Sequence, residues 1–103
     1  MPADTLSTAT ERLHLIAFDV ADDRRRYRLT RLLQRYGERV QESVFEAWMS
    51  AAQRGALLSA ARGILHSTQD RLVCYALTGD EARRIRTMGC GRPVTPNPDF
   101  HLV

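Results

Sequence analysis

The segment that most restricts the fold is Leu13 to Asp19, Leu-His-Leu-Ile-Ala-Phe-Asp. Successive side chains of a strand point to opposite faces of its sheet. Here both faces are apolar, with Leu13, Leu15 and Ala17 on one and Ile16 and Phe18 on the other. A strand of that pattern lies inside a sheet covered from both sides. Arg71 to Leu77 repeats the pattern. The chain therefore has to cover both faces of one sheet, and its 103 residues supply one core and not two. His14 shares the face of Ile16 and Phe18 and reads as a packed or surface residue rather than a ligand.

The segments between these strands have helical and extended periods in turn. Asp22 and Asp23 are N-cap residues for a helix predicted over Asp23 to Tyr36, which places Leu29, Leu32, Leu33 and Tyr36 on one face. Gly37 is expected to end it as a left-handed terminator. Arg39 to Met49 reads as a strand of imperfect alternation, with a bend near Glu46 to Met49 that splits off a short third strand. Ala51 to His66 is a second helix, with Leu57, Leu58, Ala61, Ile64 and Leu65 facing the core. Asp80 to Arg86 forms a helical turn.

That order defines an α+β fold, the ferredoxin-like split βαβ arrangement, with an antiparallel sheet and both helices on one face. The other face needs a cover, and a sheet-face homodimer is the simplest one. Residues 1–12 read as a flexible leader, 13–88 as the ferredoxin-like domain and 89–103 as a tail that packs on the partner chain. The tail holds three of the four prolines and cannot be a regular helix. Nothing in the first eleven residues has the apolar length of a signal peptide or a membrane span. Cys74 and Cys90 form no metal-binding or disulfide spacing, which suits a reducing cytoplasm.

All fifteen basic residues are arginine, on a net charge of +3. Arg24, Arg28, Arg31 and Arg35 recur at helical spacing as a narrow stripe. Like charges at that spacing repel by a few tenths of a kcal/mol per pair, and no acidic residue of the helix interior is spaced to neutralise them. Such a row fits contact with a polyanion, since guanidinium forks grip phosphate oxygens in pairs. Asp19 ends the apolar strand just before this helix. It is either a turn aspartate bonded to nearby amides or a ligand for magnesium, a hard ion that keeps several waters and takes phosphate oxygens. One carboxylate per chain is few, and a symmetric dimer would appose two copies. Asp22 and Asp23 cap the helix or support the ion. Ser43 and Glu46 are a phosphate donor and a base, or plain strand-surface residues. Tyr27 and Tyr36 stack on bases or pack at the rim. His14, His66 and His101 are scattered, and no glycine-rich phosphate loop or catalytic triad is present.

Two stretches, Phe18-Asp-Val-Ala-Asp-Asp-Arg-Arg-Arg26 and Tyr36-Gly-Glu-Arg-Val-Gln-Glu-Ser-Val-Phe-Glu46, resemble the second protein of the CRISPR-associated series, a small subunit of the spacer-acquisition machinery. The resemblance runs from Leu13 to Leu77. It implies the ferredoxin-like fold and a homodimer. It also implies that Asp19 is the family's magnesium-binding catalytic aspartate. Arg24, Arg25, Arg26, Ser43 and Phe45 match positions near the active cleft, beside the stripe residues Arg28 and Arg31. Members of that family are metal-dependent nucleases on RNA or DNA, or non-catalytic bridges that hold duplex DNA between integrase subunits. The expected cofactor is therefore Mg2+. The expected partners are a second copy, a CRISPR integrase subunit and RNA or DNA, with no membrane.

Overall fold

The computed structural model describes residues 11–89. Both the leader before Glu11 and the tail after Gly89, with Cys90 and His101, lie outside the described residues. Four strands form one antiparallel sheet: β1 (Arg12–Asp19), β2 (Glu38–Gln41), β3 (Val44–Met49) and β4 (Arg71–Ala76). Their spatial order is β2-β3-β1-β4, so β1 is the inner strand expected from its two apolar faces. It pairs with β3 through Ile16 opposite Phe45 and with β4 through Ile16 opposite Cys74. The helices are α1 (Asp23–Gln34), α2 (Ala51–Arg62) and the short α3 (Gly79–Arg83). Among the described residues no helix is long and apolar enough to cross a membrane.

Alternation along the strands sorts the two sheet faces. Ile16, Phe18, Phe45, Ala47 and Met49 pack with Leu29 and Leu33 of α1 and Leu57 and Ala61 of α2 into one core. Leu15, Ala17, Val44, Glu46, Trp48, Val73 and Tyr75 have the opposite parity and occupy the second face. Each long helix begins where the sequence provides a cap. The Asp22 carboxylate accepts the Arg25 backbone N–H for α1, and Ser50 and Gln53 form a reciprocal capping box for α2.

Three expectations shift. The expected bend near Glu46 to Met49 is absent, and β3 runs unbroken through those residues. The chain turns earlier, at Glu42 and Ser43, where the Arg39 guanidinium donates to the Glu42 carbonyl (2.7 and 3.1 Å) and the Phe18 N–H donates to the Ser43 carbonyl (3.1 Å). Both helices end short of the expected residue, at Gln34 and Arg62, each with a final turn of tighter hydrogen bonds. Gly37 is not left-handed, since Gly89 is the one described residue of positive φ. Glycine is required at Gly37 because an added Cβ would lie 2.1 Å from the Glu46 carbonyl oxygen and 2.7 Å from the Ala47 Cβ.

Candidate metal and nucleic-acid site

The acidic end of the sheet is built by the connection from β1 to α1. Asp19 is the last residue of β1, exposed, and opposite Arg71 of β4. Its neighbours are committed elsewhere. Asp22 accepts the Arg25 backbone N–H at 2.9 Å, and that bond first of all holds its carboxyl below the ordinary carboxylate value. Asp23 pairs with Arg26 at 2.5 Å.

Arg25 reaches across to the loop before β4. Its Nε donates to Asp70 Oδ2 at 2.7 Å, and its Nη2 donates to Asp70 Oδ1 at 3.2 Å and to Gln69 Oε1 at 3.1 Å. The Asp70 side chain is fully buried and also accepts the backbone N–H groups of Ala21 (2.9 Å) and His66 (2.8 Å). Four donors on one carboxylate, led by the Arg25 guanidinium, hold Asp70 far below the ordinary carboxylate range. Arg26 closes the same loop by donating to the Val20 carbonyl at 2.8 Å. Arg25 and Arg26 thus brace the chain beside Asp19. Asp70 is not legible in the sequence, because it lies 45 residues from its partner and no local spacing marks it.

The remaining arginines of α1 are free of carboxylates among the described residues. Arg24 is exposed at the start of the helix. Arg28, Arg31 and Arg35 line an open groove of about 460 Å³ with Leu32, Gln34 and Ile64. The Arg31 guanidinium also lies 6.0 Å from the ring centre of Tyr27, an exposed side chain, in a cation–π contact. Tyr36 is half-buried against the core.

Ser43 is exposed in the turn between β2 and β3, with its carbonyl taken by Phe18. Phe45, expected near a cleft, lies in the core. It is 0% exposed, and its ring packs against Phe18 at 6.2 Å between centres. The reason is strand parity: Phe45 shares the inward face of Ala47 and Met49, so it is a core residue. Glu46 is buried on the second sheet face, opposite Leu15 and Glu38.

A four-stranded antiparallel sheet with two long helices and an acidic strand tip beside an arginine-rich helix defines a small basic α+β protein of the ferredoxin-like class. Residues 12–85 match the family described as CRISPR associated protein Cas2, and the chain belongs to that family. The chain is 40% identical over 91 residues to CRISPR-associated endoribonuclease Cas2 3 of Synechocystis sp., covering 88% of this chain and 98% of the relative. It is also 40% identical over 93 residues to CRISPR-associated endonuclease Cas2 2 of Thermus thermophilus, covering 90% and 94%. Among solved structures, a hypothetical protein from Thermus thermophilus superposes with a TM-score of 0.74 at 38% identity, over 81% of this chain and 96% of that one. A chain of a partial Cas6-RT-Cas1–Cas2 complex superposes with a TM-score of 0.64 at 32% identity, over 84% and 99%.

Proposed function

We propose that this chain works as a homodimeric, magnesium-dependent endonuclease on RNA or DNA phosphodiesters, within CRISPR spacer acquisition and antiviral defence. One observation carries the reading. Of the four carboxylates around the β1–α1 connection, Asp22, Asp23 and Asp70 are spent on structure, and Asp19 is exposed with no side-chain hydrogen bond or ion pair to another described residue. No group of three or more His, Cys, Asp or Glu able to hold a metal exists among the described residues. The exposed Asp19 carboxylate is an oxygen donor of the kind magnesium takes, and a hydrated ion held there would draw its other oxygens from water and phosphate. When bound, that ion supplies Lewis-acid polarisation of a phosphoryl oxygen and a more acidic water. The protein's own residues hold and orient the strand. Arg24, Arg28, Arg31 and Arg35 bind backbone phosphates, Ser43 adds a hydroxyl donor, and the Arg25–Asp70 pair keeps Asp19 in place.

The homodimer rests on the second sheet face. Leu15, Ala17, Val44, Trp48, Val73 and Tyr75 give it an apolar surface that a second copy covers. Apposed copies would bring two Asp19 carboxylates toward one ion. A free Cys74 thiol is compatible with a reducing cytoplasm. The relatives named as endoribonuclease and endonuclease support the reaction class and leave RNA and DNA both in play. A second reading, a non-catalytic DNA-binding scaffold that bridges integrase subunits, is favoured by the similarity to a chain of a complex that contains Cas1.

The test compares wild type with Asp19→Ala on labelled RNA and duplex DNA, with magnesium and then with chelator. Cleavage that needs magnesium and vanishes in the variant is expected, and the cut substrate identifies the class. No cleavage by wild type, or equal cleavage by both proteins, moves the assignment to the scaffold.

A further inference from the structure

We propose that Arg12, Arg54 and His14 form a phosphate-binding site at the end of the sheet opposite Asp19. Arg12 and His14 point from the same face of β1, and Arg54 comes from the first turns of α2. With Met49 and Ala51 they line a cavity of about 290 Å³. Arg12 and Asp19 are seven positions apart along β1, roughly 23 Å at the rise of an extended strand. The site is therefore a separate one, and it does not depend on the chemistry assigned to Asp19.

Among the described residues its two guanidinium groups are in no ion pair. The ion pairs between described residues are Arg25–Asp70, Arg26–Asp23 and Arg83–Asp80, and neither Arg12 nor Arg54 has a carboxylate among the described residues. The contact that Arg54 does make is with His14 Nε2, at 3.2 Å from its Nη1. His14 Nδ1 lies 2.9 Å from the Arg12 carbonyl oxygen. A carbonyl only accepts, so Nδ1 carries the proton and Nε2 offers its lone pair to the guanidinium. The imidazole is 1% exposed and acts as a fixed post for Arg54. It occupies one nitrogen of the guanidinium fork and leaves the other donors for a ligand. The N-terminus of α2, at Ala51, adds positive potential on the same side.

Two guanidinium groups and a helix N-terminus around one small cavity fit a tetrahedral oxyanion, which accepts forked, charge-assisted hydrogen bonds. The cavity admits a phosphate group and is too small for a duplex. The phosphate could be a terminal monoester or a backbone diester, and the shared chemistry is the oxyanion. Among the described residues the charges acting on the imidazole are those of Arg54 and Arg12, and the Cys74 thiol of β4, which Arg54 also acts on, is pushed up by burial and stays neutral. Burial first, and then the charges of Arg54 and Arg12, hold His14 below its ordinary value of 6.5, while the bond to the Arg12 carbonyl opposes them. A bound anion offsets those charges, so it raises the midpoint at which His14 titrates.

The experiment follows the His14 ring signals by NMR in the full chain, with the resonances assigned through His14→Gln. Inorganic phosphate is titrated in at constant ionic strength, with chloride as control. A saturable shift, together with an upward move of the His14 midpoint, is expected with phosphate and not with chloride. Arg54→Gln and Arg12→Gln should each weaken the apparent affinity by about tenfold or more. Arg12 is exposed, so its variant tests the site without risk to the core. A 5′-phosphorylated trinucleotide and its unphosphorylated twin separate the sources. A response to the first alone means a terminal phosphate, and a response to both means the backbone. A shift that does not saturate, one matched by chloride, or one unaltered in both glutamine variants overturns the proposal.

Discussion

Replacing Phe45 separates a core role from a role in binding nucleic acid. The side chain is 0% exposed, packs against Phe18 and sits in the cluster with Ile16, Leu29 and Leu57. Phe45→Ala removes the whole ring from a dense interior, which costs about 3–5 kcal/mol in lost transfer energy and residual cavity. Domains of this size have about 5–15 kcal/mol of total stability, so the variant loses a large share of it. At roughly 5 °C per kcal/mol, Tm falls by about 15–25 °C. Phe45→Leu keeps most of the volume and should cost about 1–1.5 kcal/mol. The assay is urea unfolding followed by circular dichroism for the three proteins, with binding of a labelled oligonucleotide measured where each is folded. The leucine variant should bind within about twofold of wild type, because its side chain reaches no ligand. A Phe45→Ala protein as stable as wild type that has lost binding would refute the core assignment.

Two further outcomes follow from the acidic end and the arginine helix. The Asp70 carboxyl lies far below its ordinary value of 3.8 in the folded chain, so its contribution is present above about pH 4 and is lost as pH falls below that value. Asp70→Asn should be less stable than wild type at pH 7 and should lose less stability between about pH 5 and 2, and parallel stability curves in acid would argue against the Arg25–Asp70 brace. Arg28→Ala combined with Arg31→Ala should weaken binding for every sequence and flatten the dependence of log affinity on log salt by about 0.7 to 0.9 per lost phosphate contact. An unchanged slope would take the groove off the binding surface.

What the sequence made legible depended on whether the cause was local. The inner position of β1 follows from apolar residues on both of its faces, and the cap at Asp22 lies within three residues of the amide it satisfies. The turn at Glu42 and Ser43 is not marked in the sequence because it contains no Gly, Pro or Asn, and the Arg39 guanidinium holds it instead. Gly37 has the sequence position of a left-handed cap, whereas its role is to let the chain pass against the backbone of β3. The motif carries Phe45 beside Ser43, and strand parity with Ala47 and Met49 is what places its ring in the core. Asp70 and the Arg12–His14–Arg54 cluster are assembled across 40 or more residues, where no spacing rule reaches.

The proposed role of Asp19 is tested most directly by counting bound metal. Manganese is added as a spectroscopic stand-in for magnesium to the protein with a non-cleavable oligonucleotide, and free ion is read by electron paramagnetic resonance. Two Asp19 carboxylates sharing one ion predict half an ion per chain at saturation, with that binding lost in Asp19→Asn. Equal binding by wild type and Asp19→Asn would contradict the assignment of the metal to this residue.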